Sequence, residues 1–444
     1  MRLIGVFVIA AYFYALTRKD RLANVIIVSF TIGLLFQIGY MVRIGNIEIS
    51  YPFFCEIVLF LTYLIYIIKV HKMKKHIFYN LLILCVYLIA NIVLLNINTY
   101  NKAVLAPGTS VDLWVLGKAS KSYIIFGANN IIYAFKLIMA CLIVNMSFDL
   151  EKDKINNILD KVTFFSKIYL VYGVIEFLIK NILKSSILYD LQNILFGVIG
   201  ATQVNIRLRG GLASLQGLTK EPSLYTAQLF IILILLYRNK KEVNKKWIML
   251  TIVLMIFSMS FSTIVLLLDA IFLFILFEYK NNKTVKKIFV AIMLLTIITV
   301  VIIVNWERLI QSYYIKRLLG TLEIFTDILN GNTVYSNDIS SNARIKSTLD
   351  AWSYIKDRPL FGVGVGTVSS LSSLLAFVAE VGFIGLIIWF KTVAFAPSKI
   401  NSKYVKSIIV WMLSFFMIAT ESPFWTLNGI IMILTLQNIC LNEN

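Results

Sequence analysis

Apolar runs of membrane-crossing length recur along nearly the whole chain, and that feature excludes most folds at once. They lie at about 2–17, 22–42, 53–68, 77–97, 129–147, 164–183, 223–237, 247–260, 263–279, 288–304, 374–390, 407–420 and 424–440. A transmembrane helix takes about 20 mainly apolar residues, so a chain of 444 residues that is 59% apolar has room for about 13. Charged residues make up 15% of it, against roughly 25% in a soluble domain. A soluble enzyme, a disordered chain and a secreted disulfide scaffold are excluded. The expected fold is all-α: a polytopic integral membrane protein of about 12–13 transmembrane helices with long external loops, one transmembrane domain over 1–444. The runs at 247–260 and 263–279 meet at Ser258, Ser260, Ser262 and Thr263, and read as two helices or one long broken helix.

Loop charge orients the bundle. Loops 18–21, 69–76, 148–167, 238–246, 280–287 and 391–406 carry 24 Lys and Arg in 65 residues. The alternate set, 43–52, 98–128, 184–222, 305–373 and 421–425, carries 15 in 154. The positive-inside rule places the first set in the cytoplasm. It also explains the net charge of +19 without nucleic acid. The first run reads as a retained helix, because cleavage after it would leave Arg18, Lys19 and Arg21 outside.

The inner loops are short, so the chemistry is expected outside, in the long segments 98–128, 184–222 and 305–373. The four cysteines (Cys55, Cys85, Cys141, Cys440) fall in apolar runs and read as small buried hydrophobes. Both histidines, His71 and His76, lie in a Lys-rich inner loop. No zinc spacing and no carboxylate cluster is present, so neither metal nor cofactor is expected. Asp269 and Lys136 fall within spans, where ionisable residues default to functional or paired roles.

Loop 305–373 reads as two surface helices, 305–330 and 343–356. In the second, Ile345, Leu349, Trp352 and Ile355 recur at helical spacing behind Ser340, Ser341 or Asn342 as caps, and Arg344 stands at its start. After it, glycine alternates with valine in Asp357-Arg358-Pro359-Leu360-Phe361-Gly362-Val363-Gly364-Val365-Gly366-Thr367. No Gly-Lys-Ser/Thr is present for a phosphate loop, and no strand–helix–strand unit for a dinucleotide turn. The glycines suit a tight turn back onto the membrane, whose N–H groups are candidate contacts for a phosphate or sugar. Loop 184–222 ends in Arg207-Leu208-Arg209-Gly210-Gly211 and Lys220-Glu221-Pro222-Ser223. Pro222 suits a first helical turn, which holds Glu221 at the membrane boundary beside an anion-binding arginine pair.

These segments resemble the Wzy-type family, the O-antigen, capsule and exopolysaccharide repeat-unit polymerases with their ligase relatives. The resemblance rests on Arg207-x-x-Gly-Gly leading into Glu-Pro-Ser and a helix. It rests also on Arg344 fifteen residues before Pro-Leu-Phe-Gly-Val-Gly-x-Gly, and on Ala379-Glu380-Val381-Gly382-Phe383-Ile384-Gly385. It covers about 205–440.

The resemblance implies a GT-C-like helical bundle in the bacterial cytoplasmic membrane, with its long loops on the extracytoplasmic side. It implies a glycosyltransferase whose donor and acceptor are oligosaccharide repeat units on polyprenyl diphosphate, with a chain-length regulator and a flippase as further partners. On it Arg209 and Arg344 stabilise the leaving diphosphate and Glu221 activates or orients the acceptor hydroxyl. Arg207, Lys220, Arg358, Gly362 and Gly364 bind substrate. Glu380 is expected to be structural, pairing an arginine. The ligase branch carries a histidine near the end of the large loop; this chain has Ser369-Ser370-Leu371-Ser372-Ser373 there. That favours polymerase over ligase. A flippase would place cations along its helices, between short loops. A sensing or structural membrane protein would need no loop arginines.

Overall fold

The structure, a computed structural model, describes residues 3–44, 47–70, 73–97, 100–105, 111, 114, 117–196, 208–209, 212–238, 245–278, 339–396, 401–415 and 424–441. The side chains of Arg209 and Arg344 lie outside this description, as do Arg207, the apolar run 288–304 and the expected surface helix 305–330.

The chain is an all-α polytopic membrane protein. Its first half contains α1 (Leu3–Thr17), α2 (Arg21–Leu35), α3 (Tyr51–Val70), α4 (Lys75–Ile97), α5 (Ala128–Phe148), α6 (Lys152–Phe177) and α7 (Ile187–Phe196). α6 runs on into a π-turn at Leu178–Ile182. Its second half contains α8 (Pro222–Arg238), α9 (Lys245–Phe257), α10 (Phe261–Glu278), α11 (Ile339–Asp357), α12 (Ser373–Trp389, continued by a π-turn at Phe390–Ala394), α13 (Ser402–Ser414) and α14 (Leu427–Leu441). Among the described residues, five continuous helical stretches are long and apolar enough to cross a membrane: α3, α4, α5, α6 with its π-turn and α12 with its π-turn. Two antiparallel two-residue and three-residue hairpins, β1 (Val42–Ile44) with β2 (Ile47–Ile49) and β3 (Leu208–Arg209) with β4 (Leu212–Ala213), are the strands among the described residues.

Burial follows from patterning. α8 and α14 are apolar around their whole circumference and are buried along nearly their full length. α6, α9, α10 and α14 pack around α8, and α2, α5 and α13 around α14. α4 instead turns Val86, Ile89, Val93 and Ile97 outward as exposed apolar residues, as a helix facing lipid does.

The chain between 245 and 278 forms two helices, not one. Met259 turns the backbone between α9 and α10 at a φ of 50°, and Ser258 Oγ bonds Thr226 Oγ1 of α8 at 2.7 Å. α9 has 13 residues and is therefore about 20 Å long at 1.5 Å per residue. That falls short of the roughly 30 Å hydrocarbon core.

α11 begins at Ile339, so Ser340, Ser341 and Asn342 lie inside its first turn and do not precede it as caps. Its packed face also differs from the expected one. Ala343, Ser347, Ala351, Tyr354 and Ile355 are buried, whereas Leu349 and Trp352 are each 45% exposed. Small residues face the protein because α11 lies against the segment around Leu105 and Lys121. There Ala343 packs with Leu105 and Val111, and Lys121 meets Asp350 at 2.5 Å.

Candidate functional site

Gly382 breaks α12. Its φ of 63° and ψ of −178° are far from helical values, and the break frees backbone groups on both sides. The segment 358–368 turns back to satisfy them. Val363 N donates to Ala379 O at 2.8 Å and Gly364 N to Glu380 O at 3.1 Å. From the other side, Phe383 N donates to Pro359 O at 2.8 Å and Ile384 N to Leu360 O at 3.1 Å. Tyr87 of α4 donates its hydroxyl proton to Val381 O. Irregular backbone is tolerated at membrane depth only when protein satisfies it, since each orphan group costs several kcal/mol there. The approach is close enough that a Cβ on Gly362 or Gly382 would run into the facing carbonyl groups of Glu380 and Leu360.

Three buried polar side chains lock the turn. Asn91 of α4 accepts from Val365 N at 3.0 Å and donates to Phe361 O at 2.7 Å. Asn130 of α5 donates to Val365 O at 2.7 Å. Glu380 accepts from Val368 N at 3.0 Å, with the Gly366 and Thr367 N–H groups also directed at its carboxylate. Glu380 was expected to pair an arginine; among the described residues its carboxylate instead holds backbone N–H groups. Gly362 N is committed too, to Arg358 O at 3.1 Å. The N–H groups expected to contact a phosphate or sugar are therefore already used by the protein. Gly362 and Gly364 shape the site by their conformation, with φ of 72° and 116°.

A cavity of about 250 Å³ opens against this turn. It is lined by Asn91, Leu94 and Leu95 from the end of α4 and by Arg358, Leu360 and Phe361 among others. It exceeds the about 150 Å³ apolar cavity that admits benzene. Arg358 is half-buried and lies over the Tyr100 ring at 5.4 Å. Beside it, the Asp357 carboxylate takes hydrogen bonds from Tyr100 at 2.5 Å and Lys102 at 2.6 Å. These bonds hold Asp357 below the usual carboxylate range. The Tyr100 phenol is pushed up, by burial first and by Asp357 second. The result is an apolar pocket with a charged rim, suited to an amphipathic ligand with an anionic end.

The other sequence-derived residues belong to the segment before α8. Lys220 and Glu221 are exposed. Glu221 starts the helix: its carbonyl accepts from Leu224 N at 3.1 Å and Tyr225 N at 3.2 Å, and its carboxylate accepts from Ser223 Oγ at 3.3 Å. Arg209 sits in β3, paired with Leu212 of β4, so the extended backbone expected for it is present.

Sequence reasoning passed over what holds this segment. Glu176 and Lys180, both fully buried, form an i,i+4 ion pair in the last turn of α6 and its π-turn. Glu176 accepts from Gln216 N and Gly217 N, each at 2.9 Å, and Lys180 donates to Ser214 O at 3.2 Å. The signal was available, as two opposite charges one helical turn apart inside the apolar run 164–183. Of the ionisable residues noted in spans, Lys136 lies over Phe53 at 4.9 Å. Asp269 is buried in α10 and faces Ser414 of α13.

A family model described as O-antigen ligase matches residues 247–372, from α9 through α11 and the glycine turn. No curated protein and no solved structure matches the chain. The family match supports an O-antigen ligase/polymerase-type family.

Proposed function

We propose that this O-antigen ligase/polymerase-type protein is the polymerase, joining oligosaccharide repeat units carried on polyprenyl diphosphate into a surface polysaccharide. It works in the bacterial cytoplasmic membrane with its long loops on the extracytoplasmic face, beside a flippase and a chain-length regulator. One observation carries this reading above its relatives. Arg344 lies in the early turns of α11 and Arg358 immediately after its end, so the helix separates their backbones by about 21 Å. One diphosphate cannot span them. A reaction whose donor and acceptor both end in diphosphate needs two such cations.

In the reaction, the acceptor hydroxyl attacks the anomeric carbon of the donor glycan. The bond from that carbon to the diphosphate oxygen breaks, and its electron pair leaves with the polyprenyl diphosphate. Glu221 orients the hydroxyl and takes its proton. Arg209 and Arg344, with Arg207, stabilise the charge that grows on the leaving diphosphate. Arg358 holds the second lipid diphosphate at the rim of the cavity formed by Gly362 and Gly364, and Lys220 adds positive charge beside Glu221. No divalent ion enters this scheme.

The description of the matched family favours one second reading, transfer of a finished glycan to a different acceptor. That chemistry calls for a base in the large loop. The chain has two histidines, and both lie in 69–76, where His76 faces Asp149 at 3.5 Å. Incubating the purified protein in bilayers with lipid-linked repeat units alone tests both readings. A ladder of products differing by one repeat unit, unchanged by EDTA, is expected. Transfer of single glycans only, and only when a different acceptor is added, would overturn the polymerase reading in favour of the ligase.

A further inference from the structure

After β4 the segment 214–219 belongs to no helix or strand, yet it is almost entirely buried. Much of the backbone from Ala213 to Leu218 is satisfied by side chains of α6, its π-turn and α7. Asn181 takes both groups of Ala213, accepting from its N–H at 2.8 Å and donating to its carbonyl at 3.1 Å. Lys180 reaches Ser214 O, the Glu176 carboxylate takes the N–H groups of Gln216 and Gly217, and Gln192 donates to Gly217 O at 3.1 Å. The Tyr169 hydroxyl accepts from Leu218 N at 2.9 Å. Lys180 also lies over the Tyr189 ring at 3.7 Å, so its charge is enclosed on every side.

This clamp joins the two halves of the proposed arginine–carboxylate site. The β3–β4 hairpin bearing Arg209 leads directly into it, and Lys220, Glu221 and Pro222 leave it. We propose that Glu176 is a positioning residue for this site: by gripping Gln216 N and Gly217 N it fixes the arginine hairpin relative to Glu221. The proposal rests on the reading of Arg209 and Glu221 as reaction residues.

Two features separate positioning from plain structural support. First, a buried ion pair contributes little net stability, and well-packed apolar replacements are often neutral. Second, the carboxylate uses two oxygens on two consecutive N–H groups. An amide in its place has one acceptor and one donor, so it serves one N–H group and opposes the other. Neutralising both partners therefore removes the electrostatic problem and leaves the geometric one.

The test uses the full chain in lipid nanodiscs, with hydrogen exchange read peptide by peptide beside the polymerisation assay. In Glu176→Gln and in Glu176→Gln/Lys180→Met, amides of 212–221 are expected to exchange at least tenfold faster. Peptides of α4 and α14 should keep their protection in both variants, and the thermal midpoint should fall further in Glu176→Gln, which leaves Lys180 buried without its carboxylate, than in the double variant. Turnover should fall on the order of 100-fold with little change in KM, because a misplacement of about 1 Å in reacting groups costs that much. Unchanged exchange in 212–221 would overturn the clamp. Faster exchange with full turnover would overturn the positioning role, as would full activity of the double variant. If Glu176→Gln does not accumulate in the membrane, Asn181→Ala, uncharged and half-buried, loosens the same segment and must show the same pattern. The exchange arm needs no substrate. Protection in 212–221 that depends on Glu176, in a parent chain making no product ladder, would therefore count against the polymerase reading and leave the clamp standing.

Discussion

Asn91 and Val365 are separated by 274 residues and joined by a buried hydrogen bond of 3.0 Å. The same Asn91 side chain donates to Phe361 O at 2.7 Å, so a single amide from α4 closes both ends of the glycine turn. Asn is suited to this because its one side chain both accepts and donates. The turn in turn satisfies the broken α12 and lines the cavity beside Arg358.

Replacing Asn91 by Leu should therefore be costly although it is apolar and similar in volume. It leaves Val365 N and Phe361 O buried without this partner, at about 1–3 kcal/mol each. Thermal unfolding in detergent should show a drop of several degrees. A Leu variant as stable as the parent would show that water or neighbouring groups take over these bonds.

The glycines of the turn are expected to divide sharply from one in open space. Gly362→Ala and Gly382→Ala place a Cβ against facing backbone carbonyls at φ of 72° and 63°, so neither chain should accumulate normally in the membrane. Gly117→Ala has a similar φ of 70° but nothing within 4 Å of the new Cβ. It should lose only the roughly 1–2 kcal/mol of the left-handed backbone and reach normal abundance. Immunoblots of membrane fractions read the difference, and equal abundance of all three would remove the close-approach argument.

Arg209 and Arg344 are the test of enzyme against scaffold. Each Ala variant should lose long polymer on the gel at normal membrane abundance, with a rate loss on the order of 100-fold, as for removal of a transition-state donor. Lys should restore part of it, because it keeps the charge without the planar fork. Arginines that merely reach for lipid headgroups would be replaced fully by Lys and lost at little cost.

Asp357 gives a pH dependence with a definite sign. Its carboxyl is held below the ordinary value by Lys102 and Tyr100. The stability it contributes is present above about pH 4, the ordinary Asp value, and is lost as pH falls through the lower folded value. The pair with Lys102 is largely exposed, so the effect should stay below about 1 kcal/mol and shrink with salt. A thermal midpoint followed from pH 6 to pH 2 should fall less steeply for Asp357→Asn than for the parent. Identical acid limbs would place the contribution elsewhere.

Sidedness is open to direct measurement. Reporters fused after residues 75, 160, 243, 284 and 402 should report the cytoplasm, and those after 115, 205 and 340 the outside, from the charge bias of the loops. An outside signal at 243 would put the arginine hairpin on the wrong face for the proposed reaction.

The sequence by itself determined that this chain is a helical membrane protein and where most of its helices lie. Apolar length and loop charge are local properties, and a bilayer accepts few solutions for them. It also marked Arg358, Gly362 and Gly364, which the fold gathers around one cavity, and the motifs by which the chain resembles the O-antigen ligase/polymerase-type proteins. Tertiary structure alone decided what those glycines do. Their N–H groups are spent on Arg358 O and on a helix broken at Gly382, and the turn is closed by Asn91 from α4. It decided also that Glu176 grips the segment between Arg209 and Glu221 from 40 residues upstream of Gln216. A hydrogen-bond partner that far along the chain leaves no period or spacing to read. Packing chooses it, because every polar group withdrawn from water into the bilayer must find a partner within the fold.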